Sequence, residues 1–190
     1  MATEADYQAT IKDFTWGDLD ALWTAIKQQN TPGWDRGKAL EYLILRSFQL
    51  DKAEIRWPYS VRFQLSREEL EQIDGVIYIG ELACLAECKD YNDENGKKKN
   101  INFEPVAKMR NQLMRRPSST IGSIFSSGGF TGPALTLANF TFPQTILLWN
   151  GEEIEYCLKK RTFCQALITK YRKCIEFGLH DYDITIEEEL

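Results

Sequence analysis

The chain has 190 residues, 43% of them hydrophobic and 12% aromatic, with a formal net charge of -5. That is enough apolar material for one substantial core, and it includes neither an apolar run of membrane-spanning length nor a charged-then-apolar leader at the N-terminus. Five cysteines with no CxxC pair, and a single His180 beside an acidic tail, argue against a zinc site and a histidine-based triad. Free buried thiols are expected instead, which fits a reducing cytoplasm.

In chain order, Thr15 with Asp18 three residues later reads as a capping box, opening a helix with Leu19, Leu22, Trp23 and Ile26 at helical spacing. Thr31-Pro32-Gly33 ends it. A second helix is predicted from Asp35, a good N-cap, to about Gln49. Ile55 to Phe63 and Ile73 to Ile79 are rich in β-branched and aromatic residues and read as strands, joined by a polar connection from Ser66 to Gln72. Gly80-Glu81 turns the chain into a third strand, Ala83 to Lys89, antiparallel to the one before it. Asp93 to Gly96 reads as a loop. Pro105 suits the first turn of a third helix, whose apolar stripe is Val106, Met109 and Leu113.

Thr120 to Phe125 reads as a buried strand, Ser126 to Gly129 as a bend, Pro133 to Asn139 as a short helix, and Gln144 to Trp149 as another buried strand. Asn150-Gly151 follows as a turn. Glu152 to Phe177 reads as helical with a break near Arg161, and Glu187 to Glu189 as a frayed, solvated tail. The five tryptophans are read as packing residues. Strand–helix alternation in the second half implies parallel pairing and a covered sheet. The expected class is α/β, a mixed central sheet flanked by helices, in a single domain over 1–190 with its core at 34–150 and a C-terminal helical segment at 152–177.

Charge is unevenly spread. Residues 96–116 carry Lys97, Lys98, Lys99, Lys108, Arg110, Arg115 and Arg116 against Glu104 alone, whereas the last ten residues are acidic. A local basic surface matters more for phosphate binding than the total does.

The chemistry concentrates around the third strand. Side chains alternate faces, so Glu87 and Lys89 share a side with Leu85 while Cys88 points the other way. Asp74 heads the neighbouring strand, and a tight turn brings it toward the end where Glu87 and Lys89 stand. Converging carboxylates repel unless a cation lies between them, and hard oxygen donors suit Mg²⁺. A lysine beside such a cation balances charge and orients or deprotonates a water. Glu41 borders the apolar face formed by Ile44, Leu45 and Phe48 on the second helix, an unusual place for a carboxylate. Tyr91 is read as a site wall.

The ordered set Gly37-Lys38-Ala39-Leu40-Glu41, Gln72-Ile73-Asp74-Gly75 and Leu85-Ala86-Glu87-Cys88-Lys89 resembles the PD-(D/E)xK nuclease superfamily, in its Mrr-type restriction-endonuclease form. The likeness spans roughly 34–150, weak at each position and specific as a series. Ile73 stands where the motif's name has proline. The resemblance implies a restriction-endonuclease-like fold and a metal-dependent deoxyribonuclease acting in restriction or anti-phage defence. It implies Mg²⁺, with Mn²⁺ as a substitute, held by Asp74, Glu87, the Cys88 backbone carbonyl and Glu41. Lys89 would position or activate the water. Lys108 and Gln112 would reach the scissile phosphate or a carboxylate, with Arg110, Arg115 and Lys97 as further DNA contacts. Partners are then DNA and either a second copy or a partner protein. Two alternatives stay open: a catalytically silent nuclease-fold subunit that binds DNA or protein, and a structure-specific, junction-type nuclease.

Overall fold

The computed structural model describes residues 3–62, 69–91 and 97–189. It opens with a helix that hydrophobic periodicity does not announce, α1 (Glu4–Ile11), in which Tyr7 and Ile11 are buried. Local chemistry fixes it: the Asp6 carboxylate accepts the Thr3 N–H at 2.8 Å and the Thr3 hydroxyl accepts the Asp6 N–H at 3.3 Å. The same device starts α2 (Trp16–Lys27), where Thr15 and Asp18 form the expected capping box. The next helix, α3 (Lys38–Leu50), begins two residues later than an Asp35 N-cap predicts. The Asp35 carbonyl accepts the Lys38 N–H at 3.0 Å, closing a turn first, and Gly37 takes the N-cap position at φ 83°, a conformation that favours glycine.

The strand expected over Ile55 to Phe63 is two strands in different sheets, β1 (Glu54–Arg56) and β2 (Tyr59–Arg62). Pro58 lies between them and cannot donate to a ladder. The expected polar connection is itself partly a strand, β3 (Glu69–Ile73), paired antiparallel with β2. Phe63 and Ser66 to Glu68, which those expectations also covered, lie outside the described residues, as does the loop expected at Asp93 to Gly96. Asp74 separates β3 from β4 (Gly75–Ile79), and β5 (Leu82–Lys89) returns antiparallel to β4.

The second half follows the expected alternation: α4 (Glu104–Leu113), β6 (Thr120–Ser126), α5 (Gly132–Asn139), β7 (Ile146–Trp149), α6 (Gly151–Lys160) and α7 (Phe163–Phe177). Asn150 is not a turn residue but the N-cap of α6, accepting the Glu152 and Glu153 amides at 2.9 and 3.0 Å. Arg161, at φ 59°, makes the expected break. The backbone over Ile184–Glu189 forms a 3₁₀ turn rather than a frayed tail, anchored by buried Ile184.

The main sheet runs β1-β4-β5-β6-β7, antiparallel on the β1–β4–β5 side and parallel across β5, β6 and β7. This is a mixed α/β architecture with a five-stranded mixed sheet flanked by helices. Alternation divides the strands between two cores. Ile77, Cys84, Ala86, Cys88 and Phe125 pack under Leu40, Leu43, Ile44 and Phe48 of α3. Val76, Leu85, Ile124 and Leu148 pack under Val106, Met109 and Leu113 of α4 and Ala134 and Ala138 of α5. Each fully buried aliphatic or aromatic side chain contributes about 1.5–3 kcal/mol. Trp23 and Trp149 are buried, and Trp16, Trp34 and Trp57 pack against the α3-side core, in keeping with a packing role.

Two glycines let the helices approach closely. A Cβ at Gly75 would lie 2.5 Å from Leu45 Cδ2 of α3, and one at Gly122 would lie 2.6 Å from Met109 Sδ of α4. The sheet is thereby clasped tightly on both faces beside the end of β5.

Candidate active site

The β4–β5 ladder ends at the Gly75–Ala86 pair, and Asp74 and Glu87 are the next residues beyond it on the two chains. Val76 and Leu85, one alternation inward, belong to the α4-side core, so alternation along β5 turns Glu87 and Lys89 to that face. Cys88 packs in the α3-side core, as its place in the alternation requires.

Glu87 is 1% exposed and Asp74 6%, so neither charge is solvated and each must be compensated by protein groups. The Lys108 ammonium of α4 donates to both Glu87 oxygens, at 2.7 and 2.8 Å. Lys89 forms a second ion pair with Glu87 Oε1 and also donates to the Cys88 carbonyl at 3.2 Å. Asp74 Oδ2 accepts the Cys88 backbone N–H at 2.8 Å. On α3, Glu41 accepts from Lys38 at 2.7 Å, and Lys38 pairs with Glu4 of α1 at the same distance.

Glu41, Cys88 and Lys89 line one open cleft of about 370 Å³, walled by Arg36, Gly37, Asp90 and Tyr91. The wall position expected for Tyr91 is where the structure places it.

These groups perturb one another. Burial, and then the Glu87 charge, push the Asp74 carboxyl up to about 6. Burial, and then the Asp74 charge, push Glu41 up to about 7. The carboxylates thus form a chain, Glu41 to Asp74 to Glu87, in which each feels the next. Burial lowers the proton affinity of Lys89, but the charges of Glu87 and Asp74 outweigh it and leave the ammonium held above its ordinary range. Burial pushes the Cys88 thiol well up, so this sulfur is inert and only its backbone faces the chemistry.

Among the described residues, no three acidic, histidine or cysteine side chains stand together as a ready-made cation site. The donor chemistry nonetheless fits a hard divalent cation: mutually repelling carboxylates, a backbone carbonyl at the same strand end, and an adjoining open cleft. Both Glu87 oxygens are turned toward ammonium groups.

The expected nucleic-acid contacts divide. Lys108 joins the site. Gln112 does not: it is buried, with its amide donating to the Gln72 carbonyl at 3.2 Å, so it ties α4 to β3 instead of reaching a phosphate or a carboxylate. Arg115 is ion-paired with Glu71, which also holds Arg116, so one carboxylate from β3 engages two of the arginines read along 96–116. Lys98 is likewise paired, with Asp90. Arg110 and Lys97 are exposed.

Three participants escaped the sequence reading. Lys38, the partner of Glu41, was legible as an i,i+3 pair. Arg36 reaches the cleft only because the turn ahead of α3 faces it there. Asp90 accepts both the Ser127 hydroxyl and the Lys98 ammonium on one oxygen, and the Lys89 carbonyl accepts the Ser127 N–H at 3.2 Å. That cluster ties the bend after β6 to the end of β5, and no local spacing announces a contact between residues so far apart in the chain.

No helix among the described residues is long and apolar enough to cross a membrane. No protein-family model matches the chain, and no curated protein matches it. In structure it is similar to the MspJI restriction endonuclease, solved in complex with a 27-mer oligonucleotide, at 17% sequence identity and a TM-score of 0.43. The match covers 99% of this chain and 41% of that one, so the chain spans less than half the length of this neighbour.

Proposed function

We propose that the chain is a metal-dependent endonuclease that hydrolyses DNA phosphodiester bonds, built on a restriction-endonuclease-like fold of the PD-(D/E)xK kind. The observation that carries the reading is the arrangement around β5: Glu87 and Lys89 ion-paired, Asp74 held on the Cys88 amide between them, and Glu41 of α3 lining one cleft with Cys88 and Lys89. A purely structural role leaves unexplained why two carboxylates would be buried where each raises the proton affinity of the next, since removing either would relieve the repulsion.

Asp74, Glu87 and the Cys88 carbonyl would hold a divalent cation, with Glu41 as a direct or water-bridged ligand. Such an ion supplies Lewis-acid polarisation of the phosphodiester and a more acidic bound water. Lys89, an ammonium under the influence of two carboxylates, donates to a water in the cleft and balances charge there; in this protonated form it is not a proton acceptor. Asp74, fixed by the Cys88 N–H, keeps one carboxylate oxygen presented while the other is engaged. Exposed Arg110 and Lys97 hold backbone phosphates without reading sequence. Cutting both strands takes two such sites, so the active form is a homodimer or a complex with a partner protein. Its setting is cytoplasmic defence against foreign DNA.

Supercoiled, linear and branched DNA incubated with Mg²⁺, Mn²⁺ or EDTA tests the reading. Cleavage should appear with either ion, stop with EDTA, and be lost in Glu87→Gln and Lys89→Ala. Absence of cleavage with both ions, or wild-type rates in Lys89→Ala, would overturn it.

A further inference from the structure

We propose that Lys108 is a displaceable internal counter-cation: its ammonium holds both Glu87 oxygens and gives way when a divalent cation takes them. This deepens the nuclease reading above and rests on it.

The argument is one of charge balance in a buried place. Around the end of β5 stand three carboxylates, Glu41, Asp74 and Glu87, and three ammonium groups, Lys38, Lys89 and Lys108. With Glu4, the second partner of Lys38, four carboxylates stand against three ammonium groups, so the divalent ion exceeds the one negative charge left over. Added beside Glu87, it would leave an uncompensated positive charge in a poorly solvated site, which is costly unless a resident cation withdraws.

The three lysines differ in their freedom to do so. Lys38 and Lys89 have side chains 16% and 18% exposed, and each is held by a second partner, Glu4 for Lys38 and the Cys88 carbonyl for Lys89. The Lys108 side chain is 45% exposed and, among the described residues, its hydrogen bonds go to Glu87 alone. It is also the group that engages both Glu87 oxygens, the atoms a cation needs. Withdrawal of Lys108 frees a bidentate carboxylate and leaves an ammonium on the solvent side of α4, where a phosphate of the substrate backbone replaces its lost partner. Cation entry and substrate binding are then linked through one side chain.

The test is binding of Mn²⁺ without DNA, read by calorimetry or by the Mn²⁺ spin-resonance signal. Lys108→Met is expected to bind Mn²⁺ about tenfold more tightly than wild type, the equivalent of about 1.4 kcal/mol. Lys108→Arg, which keeps the competing charge, should stay within a few-fold of wild type. Lys159→Met removes a lysine paired with Glu155 on α6, away from this cleft, and should leave the affinity unchanged. Thermal melts check folding, and Lys108→Gln replaces Lys108→Met if that variant melts early. Equal or weaker binding by the neutral Lys108 variants, or equal tightening by Lys159→Met, overturns the proposal. If wild type cleaves DNA yet the Lys108 variants bind Mn²⁺ no more tightly, the counter-cation role fails and the nuclease reading stands. If no variant binds Mn²⁺ and wild type does not cleave, both fail together.

Discussion

The Cys88 amide donates to Asp74 Oδ2 at 2.8 Å, so the residue that ends one strand pairing is pinned to the backbone of β5 between Glu87 and Lys89. This bond separates the two things Asp74 does. Asparagine keeps an acceptor for the Cys88 N–H and discards the charge that burial and Glu87 oppose. Asp74→Asn should therefore melt at or above wild type near pH 8 while losing cleavage by more than ~100-fold, the low end for loss of a directly acting catalytic group. Asp74→Ala should lose cleavage equally but melt lower, because a buried N–H without a partner costs about 1–3 kcal/mol. Thermal melts beside plasmid-nicking rates check this. An Asp74→Asn variant that cleaves normally would remove Asp74 from the site.

Stability without divalent ions should fall as pH rises. Burial and Asp74 hold Glu41 up to about 7, and burial and Glu87 hold Asp74 up to about 6, against an environment that includes Lys38, Lys89 and Lys108. Both acids bind protons more tightly folded than unfolded. Their contribution is fully present below the unfolded values and is lost as pH climbs through the folded ones. In EDTA the melting temperature should decline from about pH 5 to about pH 8, and Glu41→Gln should flatten part of that decline. Glu155, held down to about 2 by Lys159 and Lys27, titrates below this window. Mg²⁺ should raise the melting temperature more at pH 8 than at pH 5, since carboxylate ligands bind metal deprotonated. A melting temperature that rises with pH in EDTA would contradict these assignments.

What the sequence made legible was periodic. The alternation through Leu85, Ala86, Glu87, Cys88 and Lys89 assigned each side chain to the face on which it is found, because a strand's geometry admits two directions only. Helix α4 and its Pro105 were equally plain. The misses share a different cause. Pro58 split an apolar-looking run between two sheets, and β3 was hidden because Glu-Leu-Glu-Gln-Ile lacks apolar alternation, with Ile73 buried and Leu70 exposed. Gln112 lay on the expected face of α4 one turn from Lys108, yet that turn carried it past β5 to the backbone of β3. Spacing places a residue on a helix face; what lies opposite is decided by tertiary packing.

Two arginines of the basic segment 96–116 are quieter than its composition suggests, and Glu71 is the reason. It is 7% exposed and ion-paired with both Arg115 and Arg116. Arg115→Ala should accordingly change affinity for duplex DNA by less than ~1 kcal/mol, as for an arginine already committed to a carboxylate. Glu71→Gln should release the Arg115 guanidinium, while Arg116 keeps the Gln112 carbonyl, and should tighten binding at low salt and steepen the log–log salt dependence by roughly 1 as a phosphate contact is gained. Titrations with a labelled duplex at several salt concentrations measure the slope. An unchanged slope in Glu71→Gln would place this surface outside the DNA path.

Gly75 tests whether the clasp of α3 on the sheet positions Glu41. A Cβ there would lie 2.5 and 2.7 Å from the Leu45 methyl carbons and 3.2 Å from the Arg56 carbonyl oxygen. Leu45 is fully buried, so its tip has little room to turn aside and the helix must shift instead. Leu45 lies one turn after Glu41, and that shift moves the Glu41 carboxylate away from Asp74. Gly75→Ala should cost about 1–3 kcal/mol of stability, as overpacking does, and should slow cleavage beyond what Gly75→Ala/Leu45→Ala shows. The double variant has room for the methyl group, so its destabilisation should be smaller than the sum of the single changes, with a coupling of about 0.5–3 kcal/mol. Additive costs would mean that Leu45 yields locally and that α3 keeps its place without help from the glycine.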